Sequence, residues 1–176
     1  MKKSTKITTI SLFLILAIQT LGMAQEAQKE STITLGAGLV FGTGVFDTGG
    51  DLDNDLGLKV DGYYSLTEDI KVGASFTFFF PKSEDYYGTK STVTSFDING
   101  QYIYLRQDQI LAYSLAGLNF VSVKENDSSE TEIGLNLGTG GEYALDFGSI
   151  FSELKFAGIG TYYDQYVISA GVRIAL

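Results

Sequence analysis

From residue 31 to the C-terminus, apolar and polar side chains alternate with a period of two, the spacing of a β-strand that has one greasy face. Ser31–Gly44 sets Ile33, Leu35, Ala37, Leu39 and Phe41 against Thr32, Thr34, Gly36 and Gly38. Leu56–Leu66 sets Leu58, Val60 and Tyr64 against Lys59, Asp61 and Ser65, and Ile70–Phe80 sets Val72, Phe76, Phe78 and Phe80 against Lys71, Gly73 and Thr77. The alternation recurs in Thr92–Leu105, Thr131–Leu145, Ile150–Gly158 and Gln165–Leu176. Ile110–Lys124 is apolar on parts of both faces, so its orientation stays open. With no helical stripe anywhere after residue 30, the pattern predicts an all-β chain of eight strands, long enough at roughly 9–14 residues to cross an apolar layer at a tilt.

The connections alternate in length. Thr67–Asp69, Arg106–Gln109 and Asp146–Ser149 read as tight turns; 45–55, 81–91, 125–130 and 159–164 read as longer, polar or glycine-rich loops. Short turns at one end and long loops at the other predict an up-and-down transmembrane barrel with its short end in the periplasm. Tyr64, Tyr102, Tyr104 and Tyr143 fall near the short-turn end, while Phe41, Phe78, Phe80, Phe156 and Tyr166 fall near the other, as two interfacial belts would.

The polar face favours an interior over open water. A solvated face would carry many Lys and Glu, whereas this one is built of Gly, Ser, Asn and Thr, as suits a lumen just wide enough for side chains. Its charges are few and nearly balanced: Lys59, Lys71, Lys155 and Arg173 against Asp61, Asp97, Glu132, Glu142 and Glu153. They are expected to form an interior network, with Arg173 and Lys155 beside Glu142 and Glu153, because unpaired charges in a poorly hydrated lumen are costly.

Composition narrows the function. Residues 1–24 combine Lys2, Lys3 and Lys6 with an apolar run and then small residues, the layout of a cleaved secretory signal; 25–30 would be a short periplasmic segment, and 31–176 the barrel. The chain has 12 basic and 21 acidic residues, and three of the basic ones lie in that leader, so the remainder carries −12 and no nucleic-acid partner is expected. The absence of His and Cys excludes a Ser-His-Asp or Cys-His relay and an ordinary His-ligated zinc site; neither an enzyme nor a cofactor is expected. Asp51, Asp53 and Asp55 alternate as calcium ligands could, but Leu56 and Gly62 break the EF-hand spacing, and a solvated acidic loop is the simpler reading. Tyr86, Tyr87, Tyr162 and Tyr163 are candidates for contacts outside the cell.

The run IGLNLGTGGEYAL, the following SELKF at 152–156 and the terminal YVISAGVRIAL resemble the small eight-stranded outer-membrane β-barrel family, of OmpX-like and OmpA-domain type, over essentially all of 31–176. The resemblance implies a multi-pass outer-membrane location, lipid as surroundings, and delivery through the barrel assembly machinery. Periplasmic chaperones are expected too, because SFTFFFPK at 75–82 is aggregation-prone before insertion. The leading expectation is a non-enzymatic structural or surface-interaction protein, its surface ligand unidentified. A narrow porin-like channel for small or apolar solutes and a soluble periplasmic lipocalin-like binder are the alternatives.

Overall fold

A computed structural model describes residues 33–43, 55–83, 90–125 and 128–176. The expected leader and the 25–30 segment lie outside them. Eight long strands run through the described residues: β1 (Ile33–Gly42), β2 (Asp55–Ser65), β3 (Ile70–Phe79), β4 (Lys90–Gln107), β5 (Ile110–Glu125), β6 (Ser128–Leu145), β7 (Gly148–Ile159) and β8 (Gln165–Ala175). Pro81, which cannot donate to a ladder, ends β3, and a two-residue strand, Lys82–Ser83, then pairs with Lys90 and Ser91. Successive strands pair antiparallel, and β1 closes the sheet on β8 from Thr34↔Ala175 to Gly42↔Val167. The result is a closed eight-stranded meander without a free side edge along its length.

The tight turns have local causes. In the β2–β3 turn, the Thr67 hydroxyl accepts from the amides of Asp69 and Ile70 at 3.3 and 3.0 Å, holding the chain where it reverses. Asp108 opens the two-residue β4–β5 turn in the left-handed region, φ 49°, which aspartate tolerates better than most residues. Arg106 ties the two turns together through the Glu68 carbonyl at 2.7 Å.

At the other end, one expected loop is strand. Residues 125–130 read as a loop by composition, yet β5 and β6 stay paired to Glu125↔Ser128, leaving Asn126 and Asp127 between them. The alternation of Thr131 and Ile133 against Glu132 and Gly134 simply continues outward to Ser129 and Glu130. These two strands outrun β7, whose pairing with β6 stops at Leu135↔Ile159.

The faces are inside-out. Leu39, Val60, Ile98, Leu118, Ile133, Leu135, Leu137, Leu154 and Ile168 are exposed on the outer wall, while Lys59, Asp61, Asp97, Glu153, Lys155 and Arg173 are buried inside. A soluble lipocalin-like barrel would place them the other way round. Phe76 and Phe80 face outward with Tyr102, Tyr104, Tyr143 and Tyr166, and Phe79 points in.

The orientation of β5 is now fixed: Tyr113, Leu115, Asn119, Val121 and Val123 point inward. Its two apolar faces follow from small apolar clusters inside the barrel itself. Ile103, Tyr113 and Leu115 fill the lumen near the short turns; Val40, Phe79, Ala157 and Val167 line it near the mouth.

Candidate functional site

The inward positions of β2, β3, β5, β6, β7 and β8 bring a charge cluster together in the lower half of the lumen. Arg173 is its centre. The guanidinium grips Asp61 in a fork, Nε to Oδ1 at 3.1 Å and Nη2 to Oδ2 at 2.7 Å, the planar two-point contact that arginine makes with a carboxylate. Its Nη1 donates to Glu142 at 2.7 Å and to the Tyr113 hydroxyl at 3.0 Å, and Nη2 lies 3.5 Å from Glu153. The same group stacks 4.1 Å from the centre of the Phe151 ring, with Tyr63 at 5.0 Å and Tyr113 at 5.8 Å, within cation–π range of all three.

Around that core, Lys59 meets Glu153 at 2.6 Å, and the Tyr113 hydroxyl donates to the other Glu153 oxygen at 3.0 Å. Lys71 stands 3.8 Å from Glu142, which also accepts from Ser149 at 3.1 Å. Three cations therefore face three carboxylates, and the cluster is electrically balanced. A second cluster lies nearer the mouth. Asp97 receives Lys155 at 2.6 Å, Ser75 at 2.9 Å, Asn119 at 2.6 Å and Asn136 at 3.0 Å, so both carboxylate oxygens are saturated.

Two of these contacts differ from the expected pairing. Lys155 reaches across the lumen to Asp97 on β4, and Lys59, not Lys155, takes Glu153; in so narrow a barrel a long side chain spans the lumen as readily as it reaches the next strand. Glu132 stands apart from both clusters and accepts the Tyr162 amide at 2.8 Å at the loop end. Tyr63, Tyr113 and Phe151 are members of this cluster that the sequence pattern left unassigned. Tyr63 and Phe151 share the parity of Lys59 and Asp61, and of Glu153 and Lys155, which was the available signal.

The interior glycines seat these groups. A Cβ on Gly140 would stand 2.6 Å from the Tyr113 ring, one on Gly73 2.5 Å from the Tyr63 ring, and one on Gly36 2.3 Å from Asp61 Oδ1. Each missing side chain is occupied by a neighbour's ring or carboxylate, so these glycines make close packing instead of open space. Beside Lys155 the lumen holds a small recess, water-sized, lined among others by Ser95, Asn119, Phe79, Val121 and Val167.

A family model for the outer membrane protein beta-barrel domain matches residues 10–172. The chain belongs to that family. No curated protein sequence matches it significantly. Solved structures similar to this family member include Neisserial surface protein A, 18% identical with a TM-score of 0.67 over 82% of this chain and 99% of that one. Ail, the attachment invasion locus protein of Yersinia pestis, crystallised with the heparin analogue sucrose octasulfate, is 17% identical with a TM-score of 0.61 over 83% and 100%. The N-terminal β-barrel domain of Pseudomonas aeruginosa OprF is 14% identical with a TM-score of 0.57 over 85% and 100%. At these identities the likeness is one of fold, and with the family it makes this chain a barrel of the bacterial outer membrane.

At the mouth, Tyr162 and Tyr163 sit in the β7–β8 loop, which turns through Gly158 and Gly160 at φ 73° and 89°, values that side chains rarely adopt. The Thr161 hydroxyl donates to the Gly158 carbonyl at 2.7 Å, and the Tyr163 hydroxyl donates to Glu130 at 3.1 Å. Tyr162 is 76% exposed, edge-on to Tyr163 at 5.7 Å. Tyr86, Tyr87, Asp51 and Asp53, and the side chain of Asp55, lie outside the described residues.

Proposed function

We propose that the protein is a non-enzymatic outer-membrane barrel that does not conduct ions and that works through its outer surface. The observation carrying this reading is the doubly bound Arg173, 1% exposed at the centre of the lumen and held by Asp61, Glu142, Glu153 and three aromatic rings. A path for hydrated solutes would have to pass both charge clusters, and each is tied across the barrel by contacts of 2.6–2.7 Å. Gly36, Gly73 and Gly140 offer no passage because rings and a carboxylate fill their places, and Gly134 and Gly138 lie against the backbone of the neighbouring strand.

The pinned β7–β8 loop supports the surface role: glutamates on the long β6 hold it and present Tyr162 outward, an amphipathic anchor with few rotatable bonds. Ail was crystallised with a polyanionic sugar. Here the loop end carries Glu130, Glu132 and Asp164, and a polyanion is disfavoured there by simple repulsion. Liposome swelling tests the reading. Vesicles carrying the folded protein should swell in small neutral solutes no faster than protein-free vesicles, and uptake that falls with solute size would replace it with the channel reading.

A further inference from the structure

The outer part of β6 outlasts its partner. Backbone pairing with β7 ends at Leu135↔Ile159, yet β6 runs on to Ser128. Past that pair, three successive inward positions of β6 all serve the β7–β8 loop. Gly134 seats it: a Cβ there would stand 2.7 Å from the Gly158 carbonyl carbon and 2.8 Å from the Thr161 methyl group. Glu132 accepts the Tyr162 amide at 2.8 Å, and Glu130 accepts the Tyr163 hydroxyl at 3.1 Å. Where main-chain pairing stops, two carboxylates take over, met by consecutive residues of the loop.

That makes the attachment dependent on charge. An ionised carboxylate holds a donor about twice as strongly as a neutral acceptor does. Among the described residues neither glutamate meets a cation: Lys155 is bound to Asp97 at 2.6 Å, and Lys124 on β5 is exposed with the outward parity of Leu118. The loop's own charge, Asp164, is of the same sign as theirs. Protonation is therefore what neutralises them. The fastened loop favours the ionised carboxylates, so fastening is complete where both are charged and weakens as the pH falls and they take up protons. The loop joins β7 through Gly158 and Gly160, which have the widest backbone freedom of any residue, and it can swing about them with the β7–β8 ladder intact up to Ala157↔Gln165. Tyr163 lines the recess beside Phe79, Val121 and Val167, so the fastened loop covers the apolar mouth.

We propose that the β7–β8 loop is an acid-released strap: Glu130 and Glu132 fasten it across the mouth at neutral pH, and their protonation frees it and lifts Tyr163 from the apolar residues beneath. The strap does not depend on whether the lumen conducts, so the swelling measurement and the one below can fail separately.

The test is amide hydrogen exchange, read by NMR on the full barrel in phospholipid nanodiscs and expressed as protection relative to the intrinsic rate at each pH. The Tyr162 amide should lose about tenfold in protection between about pH 7 and about pH 3.5, which lies below the ordinary glutamate value of about 4.3. The Thr43 amide, at the same end but bonded to the Tyr166 carbonyl at 2.9 Å, should keep its protection. Glu132→Gln, which retains an acceptor without the charge, should show the low Tyr162 protection already at about pH 7, and Glu130→Gln with Glu132→Gln should show no further loss on acidification. Equal Tyr162 protection at the two pH values in the parent, or a double variant that loses protection on acidification as the parent does, would overturn the proposal. The first comparison uses the unaltered protein and does not depend on how the variants fold.

Discussion

Arg173→Leu is the perturbation that bears most directly on the lower cluster. It removes the fork to Asp61, the contact to Glu142 and the hydrogen bond to Tyr113, and it leaves three carboxylates, the buried Asp61 and Glu153 and the half-buried Glu142, with two lysines. Asp61 is hit hardest, since its remaining cation, Lys59, is 3.8 Å away and committed to Glu153 at 2.6 Å. Breaking a buried ion pair from one side costs about 3–5 kcal/mol, chiefly because the partner stays buried and uncompensated. With a urea dependence of about 2 kcal/mol per molar, the unfolding midpoint should fall by about 2 M. Urea titration in phospholipid vesicles, read by the heat-modifiable mobility of the folded barrel on a gel, measures it. Adding Asp61→Leu should recover part of the loss, because the orphaned charge goes with it. A single variant within about 0.5 kcal/mol of the parent, or a double variant as unstable as the sum of the two singles, would refute the reasoning.

Other consequences follow from the same packing. Gly36→Ala puts a methyl group where Asp61 Oδ1 now lies and should cost about 1–3 kcal/mol in the same urea assay, although alanine is otherwise the smallest change available. Leu137→Arg, on the outer wall at 61% exposure, should destabilise by about 2–4 kcal/mol in vesicles if that wall faces lipid; a neutral result would argue that it faces water. Tyr162→Ala should leave the unfolding midpoint within about 0.5 kcal/mol of the parent, since the ring rests on Tyr163 and little else.

Strand period, turn spacing and the inside-out assignment were legible because a barrel wall separates lipid from lumen at every second residue, which writes the fold directly into the alternation. The identity of the charged residues was legible for the same reason: Lys59, Asp61 and Arg173 could be placed on the inner face by parity alone. Their partners were not. Which cation meets which carboxylate depends on the closure of the barrel, which brings β2 opposite β7 and β4 opposite β7, and no local pattern encodes that. β5 was unreadable because Tyr113 and Leu115 fill the interior beside its polar groups, erasing the contrast on which the alternation depends. The 125–130 segment read as a loop because a strand that projects beyond the membrane no longer needs an apolar face.

The central claim is that paired charges and glycine-seated rings close the lumen. Single-channel recording of the purified, folded protein in planar bilayers tests it most directly. The account predicts no steady conductance steps, from the parent protein or from Tyr162→Ala. Reproducible steps from the parent that change in size with Glu142→Ala or Lys155→Met would show ions passing the two clusters, and would contradict it.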